Sequence, residues 1–149
     1  MFETVVIATD GSESARRAVE VALDLAARFE ADVHALYVVD ESDVDASPAD
    51  LRAEFEAALS EAGTEALRVV EAAADRSITT AVREGRPATE IVRYVADVDA
   101  DVIATGTRGR HGEHSFLLGS VAEAVVRRCP APVLTVRQLD PDELDAPPR

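Results

Sequence analysis

Residues 106 to 120 read GTRGRHGEHSFLLGS, with Gly106-x-x-Gly109, nine further residues, and then Gly119-Ser120. The apolar run DVIAT enters this stretch and the helical pattern VAEAVVRR leaves it. Gly106 and Gly109 are free to take φ > 0 and leave room for a ligand at backbone distance. Successive N–H groups in such a turn form an anion-binding concavity. Gly119-Ser120 opens a helix, whose first N–H groups lack partners and carry partial positive charge. A phosphate suits that position. The Ser120 hydroxyl either caps the helix or donates to a phosphate oxygen. Arg108 and Arg110 are candidates for bidentate phosphate contact, or else plain surface charges. His111 and His114 lie three apart with no cysteine nearby and no third ligand, which disfavours a metal site. Glycines between a strand and a helix are more often ordinary turn chemistry, so the spacing alone does not decide. Phe116, Leu117 and Leu118 supply an apolar anchor for the loop.

This anion site is embedded in a chain of net charge -14, with 29 acids against 15 bases, and every base is arginine. Excess surface acid keeps a protein solvated in strong salt, which points to a salt-loving host and to acids spread over solvated faces. Such a balance disfavours nucleic acid, which needs a basic patch, and anionic membranes. The missing lysine excludes a P-loop in its usual form, and a receiver domain, which pairs its acidic site with lysine. The single cysteine, Cys129, excludes an internal disulfide framework and fits a reducing compartment. No apolar run nears the roughly 20 residues of a membrane span, and MFETVVIATDGS lacks a basic leader region. The expected location is therefore the cytoplasm. The length of 149 residues suits one domain. Its expected extent is 1–138, followed by an acidic, proline-rich tail over 139–149 that is expected to be disordered.

Periodicity supplies the elements that must position the site. TVVIAT, residues 4–9, reads as a buried strand broken by Asp10-Gly11-Ser12. Helical spacing follows over 13–29 with Ser12 as the N-cap, then a second apolar run at 33–40. ESDVDASPAD reads as a loop, and Ser47-Pro48 as a helix start. Helix is expected over about 49–75, with Gly63 a mild weakness. SITTAVREG, 77–85, reads as strand three. Pro87 opens a helix with Ile91, Tyr94 and Val95 on one face. DVIAT, 101–105, is strand four, 120–128 a helix stopped by Pro130, and PVLTVR, 132–137, strand five. Alternating strands and helices predict an α/β fold, a doubly wound parallel sheet with helices on both faces. Ligands of such sheets bind beyond the carboxyl ends of the strands where strand order reverses. That nominates Thr9-Asp10-Gly11 and the glycine stretch.

These residues together resemble the universal stress protein family in its ATP-binding branch. Gly106-x-x-Gly109, nine residues and Gly119-Ser120 match that branch's nucleotide motif at every specified position. The resemblance runs from ETVVIATDGSESARRAVEVALDLA through LYVVD and VREGRPATEIVRYVADVDADVIATGTRGR to GSVAEAVVRRCPAPVLTVR. It implies a five-stranded sheet of order 3-2-1-4-5. It implies that Asp10 meets the adenosine part of ATP, with Ala8 and Thr9 on the same wall and Val38 touching adenine. Thr105 would line the pocket. Gly106, Gly109, Gly119 and Ser120 would hold ribose and phosphates, with a backbone N–H from Val121; Arg110 stays a candidate phosphate contact on its own chemistry. AMP or ADP are alternatives to ATP, and Mg²⁺ is the expected companion. The resemblance also implies a homodimer through strand 132–137, which would remove an exposed edge; the alternative is an edge covered by the tail. Ala122 departs from members that offer a hydroxyl there. The function implied is a nucleotide-binding stress-response module. A slow ATPase or autophosphorylating enzyme and a nucleotide-free partner-binding module are the alternatives. The adenylating pyrophosphatase-type loop is disfavoured, because ATDGSESA lacks its paired glycines. The sequence does not identify a protein partner.

Overall fold

The first strand, β1 (Thr4–Ala8), is TVVIA and buried on both faces from Val5 onward. An unbroken apolar run of this kind can lie only in the middle of a sheet covered on both sides. A computed structural model, which describes residues 2–108, 118–140 and 142, places it there. The remaining elements follow as α1 (Glu13–Phe29), β2 (Asp32–Asp40), α2 (Glu41–Asp45), α3 (Arg52–Ala73), β3 (Thr79–Gly85), α4 (Pro87–Asp97), β4 (Val102–Gly106), α5 (Ser120–Arg128) and β5 (Val133–Val136). The five strands are parallel in the order β3-β2-β1-β4-β5, the order the resemblance implies.

Alternate side chains of the central strands enter opposite cores. Val5, Ile7 and Tyr37 pack with Val19 and Ala22 of α1 and with Leu67 and Val70 of α3. Val6, Leu36 and Ile103 pack with Ile91, Tyr94 and Val95 of α4 and with Val125 of α5. Each such fully buried aliphatic side chain contributes about 1.5–3 kcal/mol. The crossover β1-α1-β2 covers one face and β3-α4-β4 the other, so the strand order reverses between β1 and β4.

Several local readings are corrected by the structure. ESDVDASPAD is not all loop, because Glu41–Asp45 forms a short helix whose N-cap, Asp40, accepts the Ser42 N–H. The next helix begins at Arg52, three residues later than expected, and β3 begins at Thr79. Gly63 is no weakness. It is buried, and a Cβ there would lie 2.5 Å from Cδ1 of Tyr37. At the edge strand β3, Arg83 stacks 4.7 Å from the Tyr94 ring centre and pairs with Asp97, which ties β3 to α4.

Asp101, just ahead of β4, accepts the N–H groups of Glu3 and Thr4 at 2.8 and 2.9 Å. These two donors hold its carboxyl below the usual carboxylate value. A depressed folded pKa adds stability above the unfolded value and loses it as pH falls through the folded one. Asp101→Asn is therefore expected to lower Tm near neutrality. Thermal melts from pH 7 downward check this: the gap to the wild type should narrow below about pH 4.

Candidate functional site

The turn after β1 is built from its own polar atoms. The Thr9 N–H donates to the Leu36 carbonyl at 3.0 Å, extending the ladder to β2 by one step. Thr9 Oγ1 accepts the Gly11 N–H at 3.1 Å, and Asp10 Oδ1 accepts both the N–H and the hydroxyl of Ser12. Ser12 therefore holds the N-cap position of α1 without capping it, because its hydroxyl is turned to Asp10 and lies 3.0 Å from the Ser14 hydroxyl. Gly11 has φ 76°, the left-handed region, and a Cβ there would sit 3.1 Å from that of Ala66 in α3. Asp10-Gly11 thus lets the chain reverse beneath α3 and presents the Asp10 carboxylate at the end of the sheet.

Across the reversal, β4 ends on Thr105 and Gly106, both buried. Gly106 is not among the described glycines with positive φ. Its missing side chain serves close packing instead, since a Cβ would lie 2.9 Å from the Ser14 carbonyl in the first turn of α1. Thr107 then joins three elements. Its N–H donates to the Val136 carbonyl of β5 at 3.3 Å, and its carbonyl accepts the Gly119 N–H at 2.7 Å. The glycine stretch is thus closed at its base, with its entry and exit held together and tied to β5. Gly119 is the N-cap of α5 and Ser120 its first residue, so the Ser120 hydroxyl is not at the capping position. The first turn of α5 leaves N–H groups, those of Ser120 and Val121 among them, without helical acceptors.

Register brings the remaining residues alongside. Ala8 pairs with Leu36, so Val38 lies two residues further along β2, toward the same end of the sheet as the turn after β1. Ala8, Val38 and Val121 belong to one apolar cluster on the α4/α5 face. Ala8, Thr9, Asp10, Val38, Thr105, Gly106, Gly119, Ser120 and Val121 therefore gather at one end of the sheet, around the gap between β1 and β4. Gly109, Arg110, His111 and His114 lie outside the described residues. Ala122 is buried against the core, so a hydroxyl in its place would start from an inward-facing Cβ. Among the described residues, no group of three His, Cys, Asp or Glu side chains is placed to hold a metal ion. Thr107 and Ala66 shape this end of the molecule and carry no signal in the sequence that singles them out.

The acid crowding lies elsewhere. At the β3 edge, Glu84 meets Glu56 of α3, with Asp45 and Glu41 of α2 close by. The hydrogen bond to Glu56 and the surrounding negative charge raise the Glu84 pKa above the ordinary glutamate value. Two strands, β2 and β1, separate that edge from β4. Beside the crevice stands Arg17, whose guanidinium donates to the Arg137 carbonyl at 2.8 Å and whose N–H donates to Gln138 Oε1. These bonds fasten the chain leaving β5 onto α1. Among the described residues no helix is long and apolar enough to cross a membrane.

Comparison with known proteins agrees with this architecture. Residues 1–137 match the sequence model of the universal stress protein family. Universal stress protein MJ0531 of Methanocaldococcus jannaschii is 40% identical over 142 residues, covering 93% of this chain and 84% of that protein. The solved structure of hypothetical protein MJ0577 superposes with a TM-score of 0.83 at 25% identity, covering 94% of this chain and 99% of the other. A universal stress protein crystallised in complex with cAMP superposes with a TM-score of 0.67 at 29% identity, over 91% of this chain and 97% of the other. The chain belongs to the universal stress protein family.

Proposed function

We propose that this protein is an adenine-nucleotide-binding module of the stress response, acting as a homodimer in the cytoplasm of a salt-loving cell. The observation that carries the reading is the convergence of Asp10, Thr105-Gly106 and the start of α5 around one gap, with the glycine stretch closed by the Gly119–Thr107 bond. In this reading Ala8, Thr9 and Asp10 receive the adenosine part, the Asp10 carboxylate accepting from it. Val38 lies against adenine. The N–H groups of the glycine stretch, Ser120 and Val121 hold the phosphates, with Arg110 as a further contact. ATP is the preferred ligand, ADP and AMP share its adenosine half, and Mg²⁺ accompanies the phosphates. A related chain bound to cAMP supports the class of ligand. Backbone donors and a helix start fix an anion without lysine, and strong salt screens the surrounding acids, the Debye length being about 3 Å at 1 M. Mass spectrometry of protein purified gently from cells tests the reading: ATP, ADP or AMP should co-purify. A protein that is empty, and stays empty after incubation with ATP and Mg²⁺, contradicts it.

The dimer is assigned to β5. Pro132 offers its carbonyl to Ile103 of β4 and Val136 offers its own to Thr107 just beyond β4, so in a parallel ladder the alternate residues, Val133 and Thr135, turn their N–H groups to the open edge. Thr135→Pro removes an outward donor while sparing the ladder to β4. It is expected to shift the protein from dimer to monomer in light scattering with the circular dichroism spectrum retained. An unchanged mass would show that β5 is not the interface.

A further inference from the structure

We propose that a groove at the opposite end of the sheet receives a basic, apolar segment of a partner protein, an aliphatic side chain flanked by arginine or lysine. The groove has a volume of about 290 Å³ and runs between the second half of α1, the start of β2 and the 73–78 link from α3 to β3. It therefore sits at the amino ends of β2 and β3, whereas the crevice lies at the carboxyl ends of β1 and β4. The proposal does not rest on the nucleotide reading. The cavity exists because its walls are small: Ala27 on α1, Ala31 before β2 and Ala73 on α3 leave space that larger side chains would fill. Leu23 and Ile78, each partly buried, give it an apolar lining.

Size and charge choose the occupant. At about 290 Å³ the groove stands at the foot of the range for drug-sized ligands, about 300–1,000 Å³; it holds an aliphatic side chain, and its carboxylates disfavour a nucleotide. Four carboxylates line it, those of Glu20, Asp24, Asp32 and Asp75, against the single base Arg76. Glu20 and Asp24 already pair with Arg16 and Arg28 on their own helix. Among the described residues Asp32 and Asp75 have no ion-pair partner, and they stand on two different walls. An aliphatic side chain lowered between the helices would carry a positive charge on each flank toward one of them. Exposed pairs of this kind contribute little singly, so the apolar contact supplies most of the binding and the charges supply the choice of partner.

The test uses the full chain, labelled with ¹⁵N, and two peptides sharing one apolar residue: acetyl-Arg-Leu-Arg-amide and acetyl-Glu-Leu-Glu-amide. The basic peptide should move the amide resonances of residues 26–33 and 73–78 in a saturable way. The acidic peptide should bind at least about tenfold more weakly, the size expected when two exposed attractions become repulsions. Ala27→Leu, at an exposed helical position, should fill the groove and abolish the response without lowering Tm. Asp32→Asn combined with Asp75→Asn should weaken the basic peptide several-fold. No response to the basic peptide, equal responses to both peptides, or a response that survives Ala27→Leu would overturn the proposal.

Discussion

Gly119→Val is expected to remove the proposed adenine-nucleotide binding and to leave the fold standing. Gly119 has φ -62° and ψ 161°, a region open to every L-residue. Its N–H remains available to the Thr107 carbonyl, so the closure of the loop survives the change. As an N-cap without a side-chain acceptor it offers α5 nothing that valine takes away beyond a few tenths of a kcal/mol to about 1 kcal/mol. What changes is the space in front of the first N–H groups of α5, where an isopropyl group meets any phosphate approaching them. The expected loss is about 100-fold in affinity or more, ~2.7 kcal/mol, with Tm falling by no more than about 4 °C. Titration calorimetry and thermal melts read the two quantities separately. Retained affinity would remove the α5 terminus from the site. Gly106 gives no comparable separation. Its Cβ would press on the Ser14 carbonyl, so a substitution there loses packing and binding together.

Gly63→Ala destabilises the protein although it improves a helix. Alanine is favoured over glycine in a helix interior by about 1 kcal/mol, and on propensity alone Tm should rise. The added methyl, however, would sit 2.5 Å from Cδ1 and 2.9 Å from Cε1 of Tyr37. Tyr37 is 2% exposed and among the largest fully enclosed side chains, so its ring has nowhere to go. Overpacking of this severity costs about 3 kcal/mol, the upper end of the usual range. The net is a loss of about 2 kcal/mol, or roughly 4–8 °C in Tm. Scanning calorimetry decides between the two effects, and a raised Tm would show that α3 shifts freely. The consequence reaches the crevice. Ala66, less than one turn along α3, is the residue that would meet a Cβ on Gly11, so displacing α3 also loosens the turn that presents Asp10. A weaker affinity for nucleotide is expected to accompany the lower Tm.

Much of the fold is legible in the sequence because burial on both faces leaves a strong trace. TVVIA, LYVVD and DVIAT are apolar runs too short for helices and too continuous for half-exposed strands, and they became β1, the end of β2 and β4. The strand order required more than periodicity; it came with the family resemblance. The errors lie where local chemistry meets a tertiary neighbour. The acidic stretch at 41–45 is helical because Asp40 caps it and Val44 is buried, a single apolar anchor that a window dominated by acids conceals. Gly63 is weak by propensity and needed by packing, and nothing near it in sequence mentions Tyr37. At the end of the sheet, the glycine spacing brings Gly106 and Gly119 beside Thr107 and misstates one cause. Gly106 serves the approach of α1 rather than a left-handed turn. Thr107, which closes the loop through two backbone bonds, leaves no trace in the sequence because its side chain plays no part in either bond.

Titration of the wild-type 149-residue chain with ATP and Mg²⁺ in strong salt, followed by calorimetry, tests the central claim most directly. Saturable binding of one nucleotide per chain is the predicted result. It should persist as salt rises, because the proposed donors are backbone N–H groups at the end of the sheet and salt screens the surrounding carboxylates. The absence of any saturable heat with ATP, ADP or AMP, from a protein shown to be folded, would contradict it.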